Sequence, residues 1–489
     1  MMNYFSMGLE SKIGRDFERR RGQSQFWNKL RYGWEALRQI GKEVPTVKDY
    51  LSNVTETSSN ELIFHTAYCE GQSGHHDEDG DDDDDNDDDE DPKGERNRIL
   101  RGRGDKGIPD DKACSLPADR LLYDDAVSLD VLNIPSFAGG NDIWSRADHW
   151  WNRPAVSGRG KDKLKGAGSF SDGKLELLTY KDMLSFYLDV AFKIGNARRL
   201  YQGSGPFEFN FKKSTPTKRY YTYMQVDGEY YKVFNPDKAC FSSSFATDYQ
   251  MTTAVAVPAV KSSRKVVSRA AERYLSRKQG TAVPRYPSIY IFVNPTSGGN
   301  KAAELMKLGM EKMSFQETGL EADVSIFDIR EGASGEKPAF MQLRELLDSP
   351  QGPVLGDYLR VVVAGGDGTV MWVLQELILH GINTDRVCIG IIPFGTGNDF
   401  SRATGWGASA PSDFPGSRLT GFRTWLKRWL SADVKKFDIW KVGVKLHDDG
   451  GVIYQLKNGE KVPLTEGNAT DRPLKTLTKP MCNYFSTGV

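Results

Sequence analysis

The chain has 489 residues, enough for two or three domains, with 38% hydrophobic residues and a formal net charge of −1. The near-neutral sum hides an acidic block, Asp77 to Asp91, set against an otherwise basic chain, so local charge matters more than the total. Five separated cysteines (Cys69, Cys114, Cys240, Cys388, Cys482) form no CxxC pair, which argues against a zinc ribbon or a disulfide framework and makes reduced thiols the expectation. No apolar run approaches the roughly 20 residues of a spanning helix, and the first residues lack the apolar core of a secretory signal.

In chain order, NYFSMGL near the start reads as a strand, followed by aromatic residues (Phe17, Phe26, Trp27, Leu30, Tyr32, Trp34) among basic ones. Residues 41–119 are expected to be a disordered acidic insert, because like charges repel and bury no apolar surface. No register of the block supplies both the glycine and the later glutamate of an EF-hand loop. Basic residues follow (Arg96, Arg98, Arg101, Arg103, Lys106), suited to the acidic block or to anionic lipid. From about Tyr123 the pattern turns strand-like: Val127 to Ile134, Leu175 to Tyr180, and FEFNF (Phe207 to Phe211), whose period of two puts three phenylalanines on one face. Residues 179–195 between them predict an amphipathic helix. Trp144, Trp150 and Trp151 suit packing of an insert, or a membrane interface. Asp227-Gly228, between YYTYMQV and EYYKV, predicts a two-residue hairpin turn. Residues 241–284 read as a linker with one basic helix near Ser262 to Arg277, and 443–480 as a polar insert.

Between these last two segments lie three apolar runs: Ile289 to Met306, Arg360 to Leu377 and Cys388 to Gly407. Each opens into a Gly-rich loop and then a helical pattern, the mark of strands buried on both faces of a parallel sheet. Loops of this kind suit phosphate, since glycine lets the backbone approach a ligand and helix-start N–H groups attract anions. The blander reading of GGDGT (Gly365 to Thr369) is a tight turn whose Asp367 caps the helix from Thr369. No Walker A string occurs, neither GGDGT nor GTGNDF completes G-x-G-x-x-G, and the protein-kinase signature set is missing. Residues 421–430, GFRTWLKRWL, predict a helix whose Trp425 and Trp429 pack in a core.

NPTSGG (Asn294 to Gly299), GGDGTV (Gly365 to Val370) and PFGTGNDFSR (Pro393 to Arg402) together closely resemble the catalytic domain of the diacylglycerol kinases. VKKFDIWKV (Val434 to Val442) and NYFSTG (Asn483 to Gly488) resemble that family's crossing into its accessory domain. LNIPSFAGGNDIW (Leu132 to Trp144), FSDGKLEL (Phe170 to Leu177), GNARRLYQG (Gly195 to Gly203) and MQVDGE (Met224 to Glu229) resemble the accessory domain itself.

The resemblance implies a two-domain lipid kinase: an α/β catalytic domain with a mainly parallel sheet, and a β-rich, antiparallel, sandwich-like accessory domain. The implied division is 1–40 start of the accessory domain, 41–119 insert, 120–240 accessory domain continued, 241–284 linker, 285–432 catalytic domain, and 433–489 crossover and partial accessory-domain start. NYFS-x-G occurs twice, at Asn3 to Gly8 and Asn483 to Gly488. That order reads as a circular permutation left by tandem duplication, and a mis-assembled gene model or a piece of a longer duplicated chain would give the same string. One copy is expected to pair in the sheet and leave the other spare.

By the same resemblance the enzyme uses ATP and Mg2+ to phosphorylate diacylglycerol to phosphatidic acid. A sphingosine or ceramide kinase, or a rearranged pseudoenzyme, is the alternative. The implied nucleotide-binding residues are Asn294, Ser297, Gly298, Gly299, Gly365, Gly366, Gly368, Thr369, Gly395, Thr396, Gly397, Asn398 and Asp399. Asp227 is the implied general base, Asp367 the rival catalytic carboxylate, and Glu229 and Asp367 the implied metal partners. Diacylglycerol in membranes is the expected partner, with a cytoplasmic enzyme in reversible peripheral association and no nucleic acid. Oligomeric state is not legible.

Overall fold

The computed structural model describes residues 46–66, 117–123, 125–137, 139–147, 155–157, 166–227, 229–242, 251–256, 288–298, 301–308, 313–317, 320–349, 359–395, 398–412, 414–457, 460–466, 472–481 and 484–488. The first NYFS-x-G copy, the aromatic stretch after it, the acidic block, the basic residues behind it, the helix expected at 262–277, Trp150 and Trp151 lie outside these.

The strands run, in order, β1 (Leu51–Glu56), β2 (Glu61–His65), β3 (Leu129–Leu132), β4 (Leu175–Thr179), β5 (Arg198–Gly203), β6 (Phe207–Phe211), β7 (Tyr221–Val226), β8 (Glu229–Phe234) and β9 (Pro236–Ser242). Then come β10 (Met251–Val255), β11 (Ser288–Val293), β12 (Met313–Glu317), β13 (Leu320–Asp328), β14 (Leu359–Gly365), β15 (Val387–Pro393) and β16 (Asp433–Phe437). The last are β17 (Trp440–Leu446), β18 (Val452–Lys457), β19 (Glu460–Pro463), β20 (Thr476–Met481) and β21 (Tyr484–Gly488). The helices of more than one turn are α1 (Met183–Phe192), α2 (Pro338–Asp348), α3 (Asp367–Leu379), α4 (Asp399–Ala403) and α5 (Thr420–Ser431).

Seven strands form a mixed sheet in the order β12-β13-β11-β14-β15-β10-β16. Its five inner strands are parallel, and β12 and β16 close its edges antiparallel. The β-branched runs sit at its centre because both faces are covered: Val361 to Ala364 and Cys388 to Ile392 carry almost no exposed surface. The Phe340 ring of α2 stacks on Phe292 of β11 at 4.2 Å between centroids. Trp425 and Trp429 of α5 are buried together with Trp406, as their spacing predicted.

Two antiparallel sheets complete the structure, one of six strands (β2-β1-β6-β9-β17-β20) and one of eight (β19-β18-β8-β7-β21-β3-β4-β5). They share one apolar core, built from Val54, Phe207, Phe209 and Trp440 of the first with Val131, Leu177, Met224 and Val226 of the second. FEFNF alternates as its period requires, with the three phenylalanines buried and Glu208 and Asn210 half-buried. The second NYFS-x-G copy is a central strand: β21 pairs with β3 on one side and β7 on the other.

Four expectations are corrected. The linker over 241–284 contains β10, which lies between β15 and β16. Its Thr253 hydroxyl donates to Ile389 O at 3.0 Å, and Trp406 Nε1 donates to Ala254 O at 2.7 Å. The insert over 41–119 is ordered at its start, where Val47, Tyr50, Leu51, Val54, Ile63 and Phe64 bury a helical turn and the hairpin β1–β2. The polar insert over 443–480 supplies β18, β19 and β20, whose polar residues sit on exposed strand faces. Finally, α1 is not polar on its solvent side, since Leu184 and Phe192 are exposed. Trp144 packs in the interior, donates to Gly166 O at 2.7 Å and carries the Arg199 guanidinium over its ring. Among the described residues no helix is long and apolar enough to cross a membrane.

Candidate functional site

β11, β14 and β15 are adjacent and parallel, so the loops that follow them emerge at one edge of the sheet. Backbone bonds knit the three loops together. Asn294 N donates to Ala364 O at 3.1 Å, and Phe394 N to Gly365 O at 2.9 Å. Asn294 Nδ2 donates to Thr369 Oγ1 at 3.3 Å. Ser297 N closes the first loop onto Asn294 O at 3.0 Å.

Glycine is required where two loops touch. A Cβ on Gly366 would lie 3.0 Å from Gly395 Cα, and one on Gly395 would lie 2.6 Å from Gly366 Cα. Gly298 has φ +65° and would drive a Cβ to 2.6 Å from Phe394 O. The result is a backbone-walled cradle of the kind phosphate groups need. Gly368 stands half-buried in the first turn of α3. Gly299, Thr396 and Gly397 lie outside the described residues.

Asn398 adopts the left-handed conformation (φ +55°) and is fully buried. Its Nδ2 donates to Gly395 O at 2.8 Å and Ala408 O at 2.7 Å, while its Oδ1 has no partner among the described residues. A buried acceptor without a donor, set against Gly366 and Gly395, is chemistry that a ligand's N–H or O–H group would satisfy.

The carboxylates divide by what they touch. Asp367 is buried at the start of α3, but it caps a different helix from the one foreseen. Its Oδ2 accepts from Asp399 N at 2.8 Å and its Oδ1 from Phe400 N at 3.1 Å, so it holds the beginning of α4. Asp399 is fully buried and turns the other way. It accepts from Ser136 Oγ at 2.7 Å, Gly140 N at 2.9 Å and Gly139 N at 3.1 Å. Burial pushes its carboxyl pKa up, while the Ser136, Gly139 and Gly140 donors and the Arg402 charge pull it down. These bonds fasten the segment after β3, in the eight-stranded sheet, to the Gly-rich loops. Asn133 ties the same segment to the β16–β17 junction instead, donating to Asp438 O at 2.7 Å and accepting from Trp440 Nε1 at 2.9 Å.

Register places Asp227 at the same edge. Val226 is level with Phe485, and Phe485 with Val131, so Asp227 stands at the level of Leu132, where the Asp399-binding segment begins. With β21 between β7 and β3, the lateral separation is about 10 Å. Asp227 occupies a left-handed turn (φ +46°) between β7 and β8 and is nearly buried. Glu229 is committed elsewhere: Tyr231 Oη donates to it, and Lys479 Nζ lies 2.8 Å from its Oε2. Among the described residues no group of three or more His, Cys, Asp or Glu could hold a metal ion. The described carboxylates therefore form no preformed all-protein cage.

The sequence analysis placed Ser136, Gly139 and Gly140 only within the LNIPSFAGGNDIW string and missed that they bind Asp399 across 259 or more residues. The only local signal was the pair of glycines, whose φ of +83° and +103° aim successive N–H groups at one anion.

Residues 288–421 match the diacylglycerol kinase catalytic domain, and residues 1–75 and 110–230 match the diacylglycerol kinase accessory domain. The chain is 32% identical over 225 residues to Diacylglycerol kinase 3 of Arabidopsis thaliana, covering 42% of each. It is 29% identical over 207 residues to the Eye-specific diacylglycerol kinase of Drosophila melanogaster, covering 42% of this chain and 11% of that protein. It is 29% identical over 209 residues to Diacylglycerol kinase zeta of Homo sapiens, with 42% and 18% covered. The chain spans less than half the length of these curated relatives.

Proposed function

The chain belongs to the diacylglycerol kinase family, and from that premise we propose that it transfers the γ-phosphoryl group of ATP to the primary hydroxyl of diacylglycerol. The observation that supports the reading is the bonding of Asp399, beside the Gly-rich loops, to Ser136, Gly139 and Gly140 of the segment after β3, a strand two places across the sheet from β7, which Asp227 follows. The acceptor oxygen attacks the γ-phosphorus, a new P–O bond forms as the bond to ADP breaks, and the hydroxyl proton passes to Asp227.

The loop residues Asn294, Ser297, Gly298, Gly299, Gly365, Gly366, Gly368, Thr369, Gly395, Thr396, Gly397 and Asn398 are assigned to the nucleotide. Magnesium is taken to arrive with ATP as substrate, since such ions are held by phosphates, waters and one or two carboxylates. Asp227 is preferred to Asp367 as base, because both Asp367 oxygens already accept amide protons. Asp399, at the start of α4, holds the accessory segment at Ser136, Gly139 and Gly140 beside the cradle. We read the paired antiparallel sheets, built from residues 51–65, 129–242 and 440–488, as a sandwich-like accessory domain, and 285–432 as the catalytic domain completed by β10. The enzyme is taken to be cytoplasmic and to reach its lipid by reversible association with the membrane surface.

The test is transfer of labelled γ-phosphate to diacylglycerol in mixed micelles, with sphingosine and ceramide as parallel acceptors. Asp227→Asn suits the left-handed turn. It should lower the turnover number about 10²–10⁴-fold and leave ATP affinity unchanged. Phosphorylation of sphingosine or ceramide in place of diacylglycerol would transfer the reading to the related lipid kinases. No product with any acceptor, from folded protein that binds ATP, would sink it.

A further inference from the structure

One face of the seven-stranded sheet carries a polar row among apolar ones. Arg360 of β14 is level with Cys388 of β15, and Cys388 with Thr252 of β10. Residues level with one another on neighbouring strands point to one face, so the three side chains stand side by side, with about 10 Å between the outer strands. Two residues along β15, on the same face, Gly390 lies under the indole of Trp429 from α5. A Cβ there would be 3.4 Å from the Trp429 Cδ1 and 3.7 Å from its Nε1. The Nε1 edge of the ring therefore meets the sheet next to the polar row.

Arg360 Nη1, Thr252 Oγ1 and Trp429 Nε1 are all buried without a hydrogen-bond partner among the described residues. Thr252 and Trp429 are themselves 1% and 0% exposed. Native interiors leave few such groups unpaired, because each has given up water for nothing. No carboxylate stands on the row. It continues through Ile289 and Val324 on one side and Lys436 on the other, and the Asp385 carboxylate is bonded to Lys436. Burial pushes the Cys388 thiol pKa up, while the Arg360 charge and its hydrogen bond pull it down, so guanidinium and thiol are in contact.

The chemistry of the row is one-sided. A guanidinium and an indole N–H only donate, and a threonine hydroxyl and a thiol can donate as well. Water answers such a row in part, since its own two O–H groups find no acceptor side chain there. A species that only accepts and carries negative charge answers both the donors and the Arg360 charge.

We propose that Arg360, Thr252 and Trp429 bind a small monovalent anion of about the size of chloride on the α5 face of the catalytic sheet. The site is separate from the Gly-rich loops, because Arg360 and Cys388 stand five residues before Gly365 and Pro393 in the same strands, about 16 Å away. It does not depend on the kinase reading. The anion joins β10, which lies ahead of the catalytic-domain match at 288–421, to β14 and α5.

The test exchanges the full chain into sodium gluconate, whose anion is too large for a buried site. Chloride is then added at constant ionic strength, with thermal unfolding followed by near-ultraviolet circular dichroism. The wild-type midpoint should rise along a saturating curve, by about 3 °C or more at a tenfold excess of chloride over its half-saturating concentration, and bromide should act alike. Trp429→Phe keeps an aromatic ring and loses the N–H, and Thr252→Val keeps the branched shape and loses the hydroxyl. Each should raise the half-saturating chloride concentration at least about tenfold. The dependence is read within each protein, so a lower starting midpoint does not disturb the comparison, and either variant suffices if the other fails to fold. A wild-type midpoint indifferent to chloride would mean that water alone serves the donors, overturning the proposal. A rise that never saturates, or one that a folded variant keeps unchanged, would overturn it too, since the salt would then act elsewhere.

Discussion

Alanine at Gly395 puts one methyl group where two loops already touch. Its Cβ would lie 2.6 Å from both Gly366 Cα and Asn398 Oδ1, and 3.3 Å from Gly366 N. Carbon atoms pack at about 3.5–4.0 Å, so the loops must part by roughly 1 Å. Overpacking of this kind costs about 1–3 kcal/mol of stability. The larger effect falls on function, because a 1 Å misplacement of a positioning group can cost about 10²-fold in rate. Gly443 in β17 is the control, since a Cβ there would meet nothing within 4 Å. Calorimetric titration with ATP and initial rates of phosphate transfer should show Gly395→Ala weakened at least about tenfold in binding and about a hundredfold in kcat/KM, with Gly443→Ala unchanged. If Gly395→Ala binds ATP and turns over within about twofold of wild type, the glycine contact does not shape the nucleotide site and the cradle assignment fails.

Asp399→Ala should leave the Ser136, Gly139 and Gly140 donors without their buried acceptor, costing on the order of 3 kcal/mol or more. Proteolysis should then cut more readily between the accessory and catalytic parts, and unchanged cleavage would refute the clamp. Burial raises the Asp130 carboxyl from 3.8 to about 7. Its contribution favours the folded state below about pH 4 and is lost as pH rises through about 7. Asp130→Asn should therefore flatten the decline in stability over that window by roughly 4 kcal/mol, read by urea unfolding across the range. Glu176, raised to about 8 by burial, acts with the same sign. Trp429→Ala should cost about 3–5 kcal/mol, because the ring fills a buried cluster with Phe422, Trp406 and Trp425. A loss of under about 1 kcal/mol in denaturant titration would show that the cluster collapses around the gap.

Much of the fold was legible because it is written in local periods. The runs at Ile289, Arg360 and Cys388 announced buried parallel strands, FEFNF a half-buried one, Asp227-Gly228 a hairpin, and GFRTWLKRWL a helix with a tryptophan face. β10 was not legible: MTTAV is short, sits among polar residues, and becomes a strand because β15 and β16 offer it partners on both sides. The same limit hid the first hairpin, whose apolar residues lie next to an acidic run that dominates composition.

The candidate site divides along the same line. Local sequence carries which loops can wrap a phosphate, since glycine content and strand-to-helix punctuation are properties of neighbours along the chain. It does not carry which of several aspartates faces which loop. Asp367 and Asp399 both sit in glycine-rich turns, yet one holds the start of α4 and the other reaches a segment 259 or more residues away. Nor could the string choose between two identical NYFS segments. Pairing in a sheet is decided by the strands on either side, and those neighbours, β3 and β7, are brought together only by folding.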